Sequence, residues 1–107
     1  CAIRLCELWC WGSNDDGQLG YGTNLEKTVP TRIGTATNWT SIRAGQYHTC
    51  GLRDGELWCW GQNTSGQLGL GNTTDTNAPA RVGTESNWTA VDTGINHTCG
   101  LRGGEAW

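Results

Sequence analysis

Phenylalanine and methionine are absent from this 107-residue sequence, proline occurs twice, and lysine plus arginine total only seven. With ten acidic residues the net charge is −3. A general phosphate or nucleic-acid binder needs a basic stripe, and this balance excludes one. Few long aliphatics beside 17 glycines exclude a helical bundle. No run approaches the ~18 apolar residues of a membrane span. Neither an initiator methionine nor a signal-peptide pattern opens the chain, which starts on Cys1 and stops on Trp107 within motifs. It is therefore expected to be a window of something longer. Seven tryptophans argue against disorder, which is poor in aromatics.

The chain is self-similar at a period of 49 residues: setting 7–55 against 56–104 gives 27 identities without a gap. Glu7-Leu8-Trp9-Cys10-Trp11-Gly12 returns as Glu56-Leu57-Trp58-Cys59-Trp60-Gly61, and Gly17-Gln18-Leu19-Gly20 as Gly66-Gln67-Leu68-Gly69. A period near 50 indicates a solenoid or propeller. Each period holds four short strand candidates, at 29–33, 38–43, 46–52 and 56–60, then 78–82, 87–92, 95–101 and from 105 onward. Four strands per period make one propeller blade. The expectation is an all-β chain of antiparallel strands, about two blades of a larger ring. Residues 1–11 supply the last two strands of a preceding blade, 12–60 the first full repeat, and 61–107 a second, truncated in its last strand. Pro30 and Pro79 suit sheet edges, where a missing N–H is harmless.

Asp54-Gly55 predicts a two-residue hairpin turn. It sets Arg53 opposite Glu56, Leu52 opposite Leu57, Gly51 opposite Trp58 and Cys50 opposite Cys59. The cysteines then fall at a non-hydrogen-bonded pair with Cα atoms ~4.5 Å apart, within disulfide range. The same register pairs Cys1 with Cys10 and leaves Cys99 facing position 108. Free buried thiols or a metal site are the alternatives, but facing strands offer only two sulfurs where zinc wants four ligands. Disulfides would imply an oxidising compartment, extracellular or at the cell surface. Cys6 occupies the place of Gly55, so an altered first turn is expected there, with an unpaired surface thiol or an inter-chain bridge. Cys50, Leu52, Leu57 and Cys59 lie on one hairpin face; Gly51 beneath Trp58, and Trp60, lie on the other. Both faces are apolar and both need cover, as between neighbouring blades. Open end faces would expose Trp and Leu surface, so the chain alone is not expected to be a self-sufficient monomer.

The pattern Ala44-Gly45-x-x-His48-Thr49-Cys50-Gly51-Leu52, then Leu57-x-Cys59-Trp60-Gly61-x-Asn63, then Gly66-Gln67-Leu68-Gly69-x-Gly71, then Pro79, resembles the regulator of chromosome condensation repeat across essentially the whole chain. The resemblance implies a β-propeller, usually seven-bladed, that recognises proteins through its loops. Its cysteine pair looks like that of secreted bacterial members. The nuclear member's nucleotide-exchange wedge and basic arm have no counterpart here. The tryptophan of the plant photoreceptor's Gly-Trp-Arg-His-Thr motif is replaced in both Gly45-Gln46-Tyr47-His48-Thr49 and Gly94-Ile95-Asn96-His97-Thr98. The contacts of a β-lactamase-inhibiting member lie on variable loops, so none carries over by residue.

His48 and His97 recur at one structural position, which favours a structural role over a catalytic one. Asn14-Asp15-Asp16-Gly17 could be half a calcium loop, but its copy Asn63-Thr64-Ser65-Gly66 lacks both carboxylates. The shared residues read as turn residues, with Asn and Gly in left-handed positions. Gly17-x-x-Gly20-x-Gly22 has neither the Lys-Ser/Thr nor the helix of a phosphate loop. The tryptophans 9, 11, 39, 58, 60 and 88 all repeat, which favours packing between blades over a stacking platform. Five Asn-x-Ser/Thr sequons, at Asn38, Asn63, Asn72, Asn87 and Asn96, read as compositional. No catalytic residue, metal or cofactor is expected.

Scaffold positions repeat while loops differ, and binding specificity resides in variable loops on a fixed scaffold. Loops 13–16, 21–28, 62–65 and 70–77 are the candidate surface, with Asp15, Asp16, Tyr21, Leu25, Glu26, Lys27, Thr64, Leu70, Thr74, Asp75 and Thr76 as candidate binding residues. The functional expectation is a secreted or cell-surface, non-enzymatic module for protein recognition. The alternative is a structural subunit of an extracellular filament or surface assembly, with further copies of itself as partner. A hydrolase or lyase propeller is the third reading, and no unrepeated polar cluster supports it. Neither nucleic-acid binding nor membrane insertion is expected.

Overall fold

Three tight hairpins organise the chain in the computed structural model, which describes residues 1–107. They join β1 (Ala2–Arg4) to β2 (Glu7–Gly12), β5 (His48–Arg53) to β6 (Glu56–Gly61), and β9 (Thr98–Arg102) to β10 (Glu105–Ala106). Both turn residues are left-handed in each: Leu5 and Cys6 at φ 50° and 62°, Asp54 and Gly55 at 52° and 74°, Gly103 and Gly104 at 58° and 82°. These turns match the twist of the strands they join. The expected alteration at Cys6 does not occur: Arg4 still faces Glu7, and Cys6 takes the left-handed position. Hairpin pairing thus outweighs the Cβ penalty there, about 1–2 kcal/mol.

The β5–β6 register is the one the Asp54-Gly55 turn predicts, from Arg53 opposite Glu56 to Cys50 opposite Cys59. Cys50 and Cys59 are bridged with Cα atoms 4.1 Å apart, and Cys1 and Cys10 with Cα atoms 4.0 Å apart. Cys6 and Cys99 are free and exposed.

Strand grouping departs from the expected boundaries. The other strands are β3 (Lys27–Arg32), β4 (Trp39–Ala44), β7 (Thr76–Arg81) and β8 (Trp88–Thr93). Hydrogen bonding gives three antiparallel sheets, β1-β2-β3, β4-β5-β6-β7 and β8-β9-β10. The Pro-bearing strand therefore closes the sheet before it instead of opening the next, and the four-stranded sheet spans 39–81 where 12–60 was expected. The cause lies in the linkers. Segment 13–26 folds back so that Thr31 faces Cys10 and Lys27 faces Gly12. Segment 33–38 then leads into β4 of the next sheet, whose first residue ties back to the preceding hairpin turn: the Trp39 N–H donates to the Cys6 carbonyl at 3.1 Å. Trp88 repeats this on Gly55 at 3.0 Å. Pro30 and Pro79 lie on the outer edges, in β3 and β7.

Two core layers fill the spaces between sheets. The first joins Leu8, Cys10, Leu19, Ile33, Trp39 and Trp60; the second joins Cys50, Leu52, Leu57, Cys59, Leu68, Trp88 and Val91. Both faces of the central hairpin are covered, by one layer each. Trp39 and Trp60 meet edge to face at 5.8 Å, a favoured aromatic geometry. Gly51 pairs with Trp58 as expected, and the ring of Trp39 also lies over it, where a Cβ would meet it at 2.8 Å. Trp60 is fully buried, whereas its counterpart Trp11 is 42% exposed. Loop 17–20 makes the difference: Gly20 packs so closely on Trp60 that a Cβ would stand 2.5 Å from Nε1. Trp39, Trp58, Trp60 and Trp88 thus join or pack against the core layers as expected, while Trp9 and Trp11 do not.

Candidate functional site

Each long loop is held from inside by one buried asparagine. Asn14 Oδ1 accepts from the Leu19 N–H at 2.9 Å, and its Nδ2 donates to the carbonyls of Thr23 and Leu25, both at 2.8 Å. Asn63 does the same: Oδ1 accepts from Leu68 at 3.0 Å, and Nδ2 donates to the carbonyls of Asn72 at 3.0 Å and Thr74 at 3.1 Å. Both are essentially inaccessible to solvent, which also makes the Asn63 sequon unsuited to a glycan in the folded chain. Gly17, Gly20, Gly66 and Gly69 are left-handed, but the asparagines are not. Their recurrence reflects hydrogen bonding, which corrects their reading as left-handed turn residues. Loop and next sheet are then locked together, because the Gln18 carbonyl accepts from both Trp60 Nε1 at 2.9 Å and Thr49 Oγ1 at 2.8 Å.

On this frame the variable loops of the two repeats meet. The Gly22 N–H donates to the Asn77 carbonyl at 2.8 Å, and Asn77 Nδ2 donates to Asn24 Oδ1 at 3.2 Å. Asp16 and Asp75 share a small polar cavity with Asn24, Thr76 and Asn77. Burial, and then the charges of Asp75 and Asp15, raise the Asp16 carboxyl above the ordinary carboxylate value. Asp75 also accepts from the Asn63 N–H at 2.8 Å, which ties this acidic surface to the asparagine clamp. Asp15, Glu26, Thr64 and Thr74 are exposed on the same loops. A second group forms beside it. Tyr21 donates its hydroxyl hydrogen to the Leu25 carbonyl, Lys27 sits 5.0 Å from the Tyr21 ring centre, and Leu25 is 66% exposed. Leu70 differs: it packs against the second core layer. The individual parts of Asn24 and Asn77 escape a repeat comparison, because positions 24 and 77 are not equivalent in the period.

The imidazoles lie elsewhere. His48 is fully buried, with Nε2 3.1 Å from Thr98 Oγ1 on the next sheet. His97 is exposed. Neither faces a serine nucleophile, and no cluster of three or more His, Cys, Asp or Glu forms a metal-binding group.

A four-stranded antiparallel sheet stacked between two three-stranded ones, with loop-to-sheet locks, has the build of successive β-propeller blades. Models of the regulator of chromosome condensation (RCC1) repeat match residues 7–52 and 54–101, and a second model of that repeat matches 39–67. The chain belongs to the RCC1 repeat family. Human WBSCR16 is similar in structure, with a TM-score of 0.77 and 33% identity over 91% of this chain. Prp20p from Saccharomyces cerevisiae, studied with its binding to Gsp1p and histones, superposes with a TM-score of 0.78 at 23% identity, also over 91% of this chain. Yeast RCC1 (Prp20) bound to Kap60 gives 0.75 at 24% identity over 90%. These two yeast likenesses show the fold. The chain spans about a quarter of each structure, 27%, 27% and 26%.

Proposed function

We propose that this chain is part of a non-enzymatic propeller, secreted or on the cell surface, that recognises a protein partner through loops 13–16, 21–28, 62–65 and 70–77. The observation that carries the reading is the junction of Asn24 with Asn77 beside Asp16 and Asp75. Segments that differ between repeats converge there, while the clamps beneath them are the same. Variable surface on a repeated frame is the usual seat of specificity. The protein partners named for the yeast relatives, Gsp1p, histones and Kap60, support protein as the ligand class. Two cysteine pairs at bonding distance on facing strands support an oxidising compartment. The structural work of His48, buried and bonded to Thr98 of the next sheet, supports binding without catalysis.

The test is an exchange of loop 21–28 for the sequence of 70–77 in the full-length protein, with affinity for a partner identified by cross-linking as the readout. Melting should be retained and affinity should fall at least tenfold. Unchanged affinity in a folded exchange variant would move the recognition surface away from these loops.

A further inference from the structure

Arg102 and Arg53 occupy the same position in the two repeats, and only one of them has an acid. Each guanidinium lies against two tryptophans: Arg102 is 4.1 Å from the Trp107 ring centre and 5.4 Å from that of Trp88, and Arg53 is 4.3 Å from Trp58 and 5.3 Å from Trp39. Arg102 Nη1 then binds Glu85 Oε1 at 2.8 Å, and Glu85 Oε2 accepts from the Thr84 N–H at 3.1 Å. The carboxylate is thus held between a stacked arginine and a backbone N–H.

In the first repeat the residue corresponding to Glu85 is Ala36. Arg53 has no carboxylate partner. The N–H groups of Thr35 and Ala36 donate to no protein acceptor. Neighbouring acids are engaged elsewhere: Asp54 accepts from Asn38 Nδ2 at 2.6 Å, and Glu56 binds Arg81 at 3.3 Å and accepts from Trp58 Nε1 at 3.2 Å. Where the glutamate side chain is missing there is a cleft of about 670 Å³, walled by Tyr21, Arg32, Ile33, Trp39, Arg53 and Pro79. Of the two arginines in it, Arg32 already pairs with Glu7 at 3.2 Å, so Arg53 is the free one.

We infer that this cleft binds the side-chain carboxylate of an acidic residue in a partner polypeptide, in the place that Glu85 fills internally one repeat later. A guanidinium held against two indoles is restricted in advance, and its fork of N–H donors suits a planar carboxylate. The apolar walls given by Ile33, Trp39 and Pro79 suit the methylenes that carry the carboxylate. The inference deepens the protein-recognition reading by adding a defined chemical anchor, and it rests on that reading for the nature of the partner.

The test uses the full-length protein labelled with ¹⁵N-arginine. Three probes are titrated: acetylated and amidated Ala-Glu-Ala, the same peptide with Gln, and acetylated Ala-Ala-Ala with a free carboxyl terminus. The Arg53 Nε–H resonance should shift saturably with the Glu peptide, with at least tenfold weaker binding of the Gln peptide. Ala36→Glu should abolish the response, because it supplies the carboxylate from within, as Glu85 does. The Glu and Gln comparison on the unaltered protein decides the matter even if that variant folds poorly. Equal responses to the two, or an Ala36→Glu protein that folds and still binds the Glu peptide, would overturn the site. A response to the free carboxyl terminus alone would overturn its assignment to a side chain. A peptide response that persists while loop exchange leaves partner affinity unchanged would remove the loop surface and keep this cleft. The converse pair of results would do the opposite.

Discussion

His48 donates its Nε2 hydrogen to Thr98 Oγ1, across the boundary between two sheets. The direction follows from a second contact. Thr98 Oγ1 lies 2.7 Å from the Gln67 carbonyl, which only accepts, so the single hydroxyl hydrogen points there. The hydroxyl therefore accepts from His48 at 3.1 Å, which fixes the Nε2–H tautomer. His48 Nδ1 has no partner, and a Cβ on Gly45 would stand 2.7 Å from it. The repeated Gly-x-x-His-Thr pattern is thus a lock between blades: glycine makes room for the ring, and histidine reaches the next blade's threonine.

Thr98→Val tests that lock. It leaves the His48 N–H and the Gln67 carbonyl unpaired, at about 1–3 kcal/mol for each buried group. A loss of about 2–4 kcal/mol is expected by urea denaturation of the full-length protein, with the m-value unchanged. A loss below about 0.5 kcal/mol, within the range of an ordinary surface substitution, would show that the contact does not hold the sheets together.

Acid should weaken the same junction. Burial pushes the His48 imidazole below its ordinary value of 6.5; the His97 backbone opposes this shift and the His97 charge adds to it. The unfolded chain therefore binds the proton more readily than the folded one. Stability is fully present above about pH 6.5 and is lost as pH falls from there to the lower folded value. Melting curves between pH 7.5 and 5 should show the decline, and His48→Gln should flatten it. Parallel declines in the two proteins would assign the effect to other groups.

Much of this architecture is legible from spacing. The Asp54-Gly55 turn fixes the register of six residue pairs, because a two-residue turn leaves no freedom to slip. Which sheet receives each Pro-bearing strand is not legible. Residues 27–32 could pair with the hairpin before or after them, and the choice is made by Asn14 drawing in the loop and by Trp39 tying β4 back to Cys6. The candidate loops are visible as differences between copies. That Leu70 turns into the core while Asn24 meets Asn77 depends on contacts between non-equivalent positions, which a periodic comparison averages away.

The Cys50–Cys59 bridge closes a loop of ten residues, worth about 2.5–3 kcal/mol on the chain-entropy model. Replacing both cysteines with alanine should cost about that much or somewhat more, since both are fully buried in the second core layer. Denaturation with and without reductant measures it, and peptide mapping under non-reducing conditions checks the pairing. Cys50 recovered with any partner other than Cys59 would contradict the register. Cys6, which is exposed and unbridged, should react with a thiol reagent before unfolding.

Asn63 provides the sharpest test of the loop clamp. Its amide is needed in one orientation, with oxygen toward the Leu68 N–H and nitrogen toward the carbonyls of Asn72 and Thr74. Asn63→Ala removes these bonds in a fully buried site and should cost about 2–4 kcal/mol. Asn63→Asp keeps the acceptor for Leu68 but sets a second oxygen against two carbonyl oxygens. At neutral pH it should be at least as damaging as alanine. Its carboxyl would be held above the ordinary aspartate value, since only the protonated form can donate to those carbonyls. The folded state then binds the proton more tightly than the unfolded chain, so the deficit relative to the unaltered protein should shrink as pH falls toward about 4. Denaturation of the two proteins at pH 7 and pH 4.5 reads this directly. An aspartate variant as stable as the original at pH 7 would show that the loop is held by its glycine turns and not by this amide.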